Sequence, residues 1–267
     1  RVLLVARDAA ATASDLTIAG GNTNGDGGGI LVRGRLALTD VTVSDNSAHR
    51  GGGICVDGAP GSTTELSLLR VAISDNTAGL DGGGIAANGD EGEVAITVAD
   101  SRIADNEAAN LGGGILASGF SGSVDVGLER TTVSGNSAQH GGGVFMNGNS
   151  GTAALVATAS TLSGNTAAGV GGGLYLNGND GLATADVLNS TLSGNTAASA
   201  GGIAASDNTG TAELTLRYTT VAANTANAGS ALRLASDATA SVTASILSSG
   251  GGAGKACAIL SGAALAS

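Results

Sequence analysis

The sequence predicts an all-β chain wound as a right-handed parallel β-helix, with three strands per ~30-residue coil and about eight to nine coils. Three observations predict it. A phrase beginning Val43-Ser44-Asp45-Asn46-Ser47-Ala48 and closing on Gly51-Gly52-Gly53-Ile54 recurs along the chain. Its asparagine returns at Asn76, Asn106, Asn136, Asn165, Asn195 and Asn224, at intervals by subtraction of 30, 30, 30, 29, 30 and 29. Between the phrases apolar residues alternate with polar ones, the period of a strand with one buried face. Gly (47 residues) is abundant and aromatics are 1%, so stacked small coils rather than a large aromatic core must supply burial.

Residues 1–29 read as an irregular first coil. Leu16-Thr17-Ile18 and Gly27-Gly28-Gly29-Ile30 fit the repeat, while its asparagine is expected at Asn22 or Asn24. Residues 30–249 are the regular repeats. In Val94-Ala95-Ile96-Thr97-Val98-Ala99 the residues Val94, Ile96 and Val98 face inward, and Leu66, Leu68, Val124, Val126, Leu155, Leu214 and Leu216 are equivalent. The segment after the glycines also alternates, with Ile54 and Val56, or Leu174 and Leu176, inward. A third short strand turns Val43, Ile73, Ile103, Val133, Leu162, Leu192 and Val221 inward. Each strand should pair with its equivalent one coil away, ~4.8 Å along the axis, and parallel crossovers are strongly biased to the right hand. Residues 250–267 are a decaying last coil. Ser249 stands where asparagine is due, and Gly250-Gly251-Gly252 precedes Ala256-Cys257-Ala258-Ile259-Leu260. This is expected to be the boundary of a truncated region.

The glycine triplets suit a corner that needs positive φ or close backbone approach. Asn46, Asn76, Asn106, Asn136, Asn165, Asn195 and Asn224 suit a structural ladder at another corner, their amides bonding from coil to coil. Helical solenoids are excluded because glycine and β-branched residues dominate and no 3.6-residue period appears.

Charge narrows the partners. Eleven basic against 22 acidic residues give a net charge of −11, which repels nucleic acid. No apolar run reaches the ~18 residues of a transmembrane helix, and the opening Arg1-Val2-Leu3-Leu4-Val5-Ala6-Arg7 is too short for a signal peptide.

The asparagine turn followed by Gly-Gly-Gly-Ile resembles the chlamydial-type polymorphic outer-membrane protein repeat, and more widely the bacterial right-handed parallel β-helix surface proteins. The resemblance spans roughly residues 16–249. That repeat often carries Phe three residues before the asparagine, where this chain has the aliphatic series Val43 to Val221. The resemblance implies an exported, extracellular or cell-surface stalk or passenger, often adhesive, with no catalytic residues.

Several constellations invite a functional reading. Asp45, Asp75 and Asp105 stack in consecutive coils, and stacked carboxylates either splay into water or share a cation, for which calcium is the oxygen-seeking candidate; no other cofactor is expected. Leu116, Phe145 and Tyr175 fall at consecutive outward positions beside the glycine corner, in a chain with two Phe and two Tyr. They are the expected binding patch, exposed to a partner. Asp40, Arg70, Asp100 and Arg130 alternate in sign at one corner. Outward hydroxyls at Thr42, Ser44, Thr132, Ser134, Thr161, Ser163, Thr191 and Ser193 make a broken ladder, interrupted at Ala72, Arg102, Ala104 and Ala222. No catalytic residues are assigned: Glu65 and Asp125 share a column two coils apart, and His49 and His140 lie three coils apart. Cys55 and Cys257 are about seven rungs apart, ~34 Å by strand spacing, beyond disulfide reach.

The expected function is therefore a structural or adhesive segment of a larger exported bacterial surface protein. Its partners would be other domains of the same polypeptide or like chains, together with host or matrix glycans or proteins. A polysaccharide lyase or hydrolase on the same fold is the alternative, and an ice- or mineral-binding surface the second.

Overall fold

The computed structural model describes residues 1–250, 255–260 and 262–266. The chain is a right-handed-type parallel β-solenoid of about nine turns, about 29 residues to the turn. All strand pairs among the described residues are parallel, and each strand pairs with its equivalent in the next coil. Sheet 1 runs from Leu3–Val5 to Cys257–Ile259 and holds the strands that follow the glycines. Sheet 2 runs from Ala10–Ser14 to Ala264–Ala266 and contains the long seven-residue strands such as Glu93–Ala99. Sheet 3 runs from Thr17–Ala19 to Ile246–Ser249.

A fourth sheet corrects the three-strand expectation. It comprises Ser47–Arg50, Thr77–Asp81, Glu107–Ala108, Ser137–Ala138, Thr166–Val170 and Thr196–Ser199. Each begins directly after the asparagine and points one alanine inward: Ala48, Ala78, Ala108, Ala138, Ala167 and Ala197 are buried. A lone inward alanine gives too faint a hydrophobic alternation to read as a strand.

The core is one column of aliphatic side chains from Val5 to Ala240. Isoleucine stacks on isoleucine in register, as at Ile54, Ile85 and Ile115, so each coil buries its neighbour's apolar face and no coil is a core by itself.

Corners are made by single residues in the left-handed region. Between sheets 2 and 3 stand Asp40, Arg70, Asp100, Arg130, Ala159, Asn189 and Tyr218, all with φ between 47° and 56°. An isolated L-residue there is strained by roughly 1–2 kcal/mol, tolerated because the strands on both sides are locked. At the glycine triplet the first residue has positive φ, as in Gly141 (φ 62). The second is glycine for want of room: a Cβ on Gly142 would lie 2.4 Å from the Thr166 carbonyl oxygen.

The asparagine ladder is buried and continuous. Asn136 donates from Nδ2 to the Ile103 carbonyl (3.0 Å) and to Asn165 Oδ1 (3.0 Å), and its own Oδ1 accepts from the backbone N–H (3.0 Å) and Nδ2 (3.0 Å) of Asn106. The pattern repeats from Asn46 to Asn224. At its head the first coil has no displaced asparagine. Gly21 stands at that level and donates its N–H to Asn46 Oδ1 (2.8 Å), whereas Asn22 pairs with Ser47. At its foot Ser249 takes the expected position beside Asn224. The expected triplet there falls partly outside the described residues, at Gly251 and Gly252.

A second internal ladder lies just after the corner between sheets 2 and 3. Ser101, Thr131, Ser160, Ser190 and Thr219 are buried. The hydroxyls of Ser101, Ser160 and Ser190 accept N–H groups from the preceding coil, as from Val71 to Ser101 (2.9 Å) and from Ser160 to Ser190 (3.0 Å). Each also donates to a carbonyl two residues back, as Ser101 does to Ala99 (2.6 Å).

Two outcomes follow from this packing. Asn136→Ala strands the Asn106 N–H and the Ile103 carbonyl in the interior, and urea unfolding should show a loss of about 1–3 kcal/mol. Gly142→Ala should fail to fold or lose most of the unfolding transition, because the clash is with backbone. Gly164→Asn is the contrasting case: its Cβ position is open to 4.0 Å, Asp105 already occupies the equivalent corner, and the unfolding midpoint should hold.

Candidate binding groove on sheet 1

Strand alternation gives sheet 1 two outward columns. The first is Leu31, Cys55, Ala86, Leu116, Phe145, Tyr175, Ala204 and Arg233. The second is Asp57, Asn88, Ser118, Asn147, Asn177 and Ser206. Cys55, Ala86 and Leu116 of the first column and Asp57, Asn88, Ser118 and Asn147 of the second line one groove. One wall is the approach to the glycine corner, with Asp81 and Leu111. The other is the turn between sheets 1 and 2, with Phe120 and Asn149. The depression has a volume of about 220 Å³.

The expected exposed patch is therefore corrected. Phe145 is only 2% exposed and Leu116 6%, while Tyr175 is half-buried. Neither Phe145 nor Leu116 belongs to the central core, so their outward placement holds. The Tyr175 ring meets Phe145 edge to face, centroids 4.9 Å apart at 73°, and lies 6.3 Å from the His140 ring. Burial raises the Tyr175 hydroxyl above the usual tyrosine range and lowers His140 below the usual histidine range. His140 Nδ1 accepts the Val170 N–H (3.2 Å), fixing the wall at this level.

The second column carries what the sequence reading missed. Asn88, Asn147 and Asn177 each have a buried Oδ1 that meets no donor within the protein. Between Asn88 and Asn147 sits the Ser118 hydroxyl, which accepts from Asn149 Nδ2 (3.2 Å). The signal in the sequence is the recurring Asn-Gly pair at Asn88-Gly89, Asn147-Gly148 and Asn177-Gly178. Asp81 stands on the wall, its Oδ1 accepting from the Leu111 N–H (3.1 Å) and Asn110 Nδ2 (3.2 Å). Burial lifts its carboxyl above the usual range and these hydrogen bonds partly offset the lift.

The other constellations lie elsewhere. Asp45, Asp75 and Asp105 are exposed at left-handed corners with φ near 57°. Such corners turn the side chain out of the coil; Asp105 pairs with Arg102 at 3.2 Å. Among the described residues no three His, Cys, Asp or Glu gather closely enough to hold a metal ion. The alternating corner charges do pair across coils. Arg70 grips Asp40 with two bonds of 2.7 Å, and Arg130 grips Asp100 at 2.6 and 2.9 Å. These hydrogen bonds hold both carboxyls below the usual range. Fully solvated pairs of this kind fix register more than they add stability. Glu65 pairs with Arg35 (3.2 Å), and Ala95 separates it from Asp125 in the register of sheet 2. The outward Thr and Ser of sheet 3 are half-buried. Cys55 and Cys257 are free thiols, and burial pushes the Cys55 thiol far up.

Comparison with protein families, with curated proteins and with solved structures returns no match. Among the described residues no helix is long and apolar enough to cross a membrane.

Because Phe145 is buried under Tyr175, Phe145→Ser should destabilise the chain by about 3 kcal/mol or more in urea unfolding. Tyr175→Phe keeps the edge-to-face contact and should change stability by less than about 1 kcal/mol.

Proposed function

We propose that this chain is a rigid structural or adhesive segment of a larger exported bacterial surface protein. The observation that carries this reading is the unbroken internal axis. One aliphatic column and one asparagine ladder join all the regular coils, so bending would break buried hydrogen bonds at every rung. About nine turns at ~4.8 Å make a rod of ~43 Å. The likeness of the asparagine-glycine phrase to the polymorphic outer-membrane protein repeat supports a place outside the cell.

The partners in this reading are other domains of the same polypeptide or like chains, with glycans or proteins meeting the sides of the rod.

Antibody raised against the chain should label intact cells of its source organism, and protease added outside should remove the label. Label that appears only after lysis overturns the reading.

A further inference from the structure

We propose that the outer face of sheet 2 is a two-fold interface with a second copy of this chain, Val156 of each copy seated in the hollow over Gly127 of the other. The inference rests on the reading above that like chains are partners, and it names the surface that joins them.

The first support is Gly127. It lies inside the strand Ser123–Glu129, at an outward position between the buried Val126 and Leu128, and its φ is not positive. A Cβ there would meet only the Ile96 carbonyl oxygen, at 3.8 Å, which is ordinary contact. Packing within the chain therefore does not demand glycine here, in contrast to Gly142. Glycine in a strand interior weakens the strand, and it marks places where another molecule comes close. The missing side chain opens a hollow of about 270 Å³ on the sheet face, edged by Thr97, Ala99, Glu129, Val156 and Thr158. This is smaller than the ~300–1,000 Å³ that encloses a compact ligand, so a side chain from another surface suits it better.

The second support is Val156, which stands beside Gly127 on the next rung of the same outward column. It is 53% exposed, the most exposed large apolar side chain among the described residues of sheet 2. An apolar knob next to an apolar hole is self-complementary. A two-fold axis lying along the strands, midway between the two rungs, exchanges knob and hole, so both copies make the same contact at once.

The rest of the face agrees with this axis. It lays Ser123–Glu129 of one copy over Thr152–Thr158 of the other, and Glu93–Ala99 over Leu182–Leu188. Large then meets small, as where Leu188 falls over Ala99. Carboxylates meet neutral residues: Asp125 falls over Ala154, Glu129 over Thr158, Asp186 over Thr97 and Glu93 over Leu182. Like charges are opposed only further out, where Glu65 falls over Glu213. The face also has the area. Eight consecutive strands, from Arg35–Thr39 to Thr239–Thr243, lie four on each side of the axis. At ~3.3 Å per residue and ~4.8 Å per strand they offer roughly 800 Å², the share that each partner gives to a stable interface.

The test is sedimentation of the whole chain over a concentration series at low and high salt. The parent should form a dimer, and salt should strengthen it, because each copy carries −11 and salt screens their repulsion. Val156→Ser removes the knob. Gly127→Thr fills the hole with the residue that stands at Thr97 and Thr215 in the same column. Each should weaken dimerisation about tenfold or more, equal to ~1.4 kcal/mol. The unfolding midpoint of Gly127→Thr, read where the parent is monomeric, should equal the parent's or exceed it. A chain that stays monomeric at every concentration and salt overturns the proposal, as does a dimer that ignores both substitutions. Open-ended growth overturns it too, since a two-fold contact closes on itself. Failure here leaves the surface location to the cell-labelling experiment, which does not depend on this face.

Discussion

Everything in this molecule depends on coil-to-coil register. Each backbone N–H and C=O of a strand finds its partner about 30 residues away, and side chains stack on their own kind. A coil that slipped by one residue would turn its Ile and Val outward and its Ser and Asp inward. The asparagine ladder is the device that forbids the slip. One amide fills four bonds with the coil above, the coil below and the intervening carbonyl. The buried Ser and Thr hydroxyls make a second ladder at the opposite end of sheet 3. Fixed at both ends, that three-residue strand has one register.

Corners then follow from economy of chain. A single left-handed residue turns the backbone without spending a loop, and rigid strands on both sides hold even Arg70, Arg130 and Tyr218 in that conformation. Where the corner is tightest only glycine fits, since the next coil's carbonyls occupy the space of a Cβ. The turn between sheets 1 and 2 is equally crowded at its glycines, where a Cβ on Gly148 would lie 2.2 Å from the Gly178 carbonyl oxygen. Phe120 and Asn149 of this turn line the groove. The groove is thus a by-product of the corner chemistry, and its lining can vary from coil to coil without disturbing the core. Such a division of labour, with fixed inward residues and free outward ones, is how a repeat scaffold carries local function.

The two outward columns of sheet 1 show why burial cannot be read from alternation alone. Leu116 and Phe145 point away from the core as period two requires, yet both are buried, and Tyr175 meets the Phe145 ring edge to face. A sheet face is exposed only when nothing rises beside it, and the height of the flanking turns depends on backbone dihedrals that no single residue announces.

The sequence by itself determined the solenoid, its period, the inward aliphatic columns and the asparagine ladder, because these are one-dimensional facts. A residue repeated at a constant interval must stack, and a stack of buried amides must bond along the axis. Tertiary structure alone decided the fourth sheet, whose alanines carry too little hydrophobic contrast, and the backbone role of Gly21 at the head of the ladder. It alone turned Asp45, Asp75 and Asp105 outward into separate exposed corners. It also joined Phe120 of one turn to Asn88 and Asn147 of two strands in a single groove. Those residues are remote in the repeat and meet only because the walls fold toward each other, a relation set by the three-dimensional path of the corners rather than by spacing along the chain.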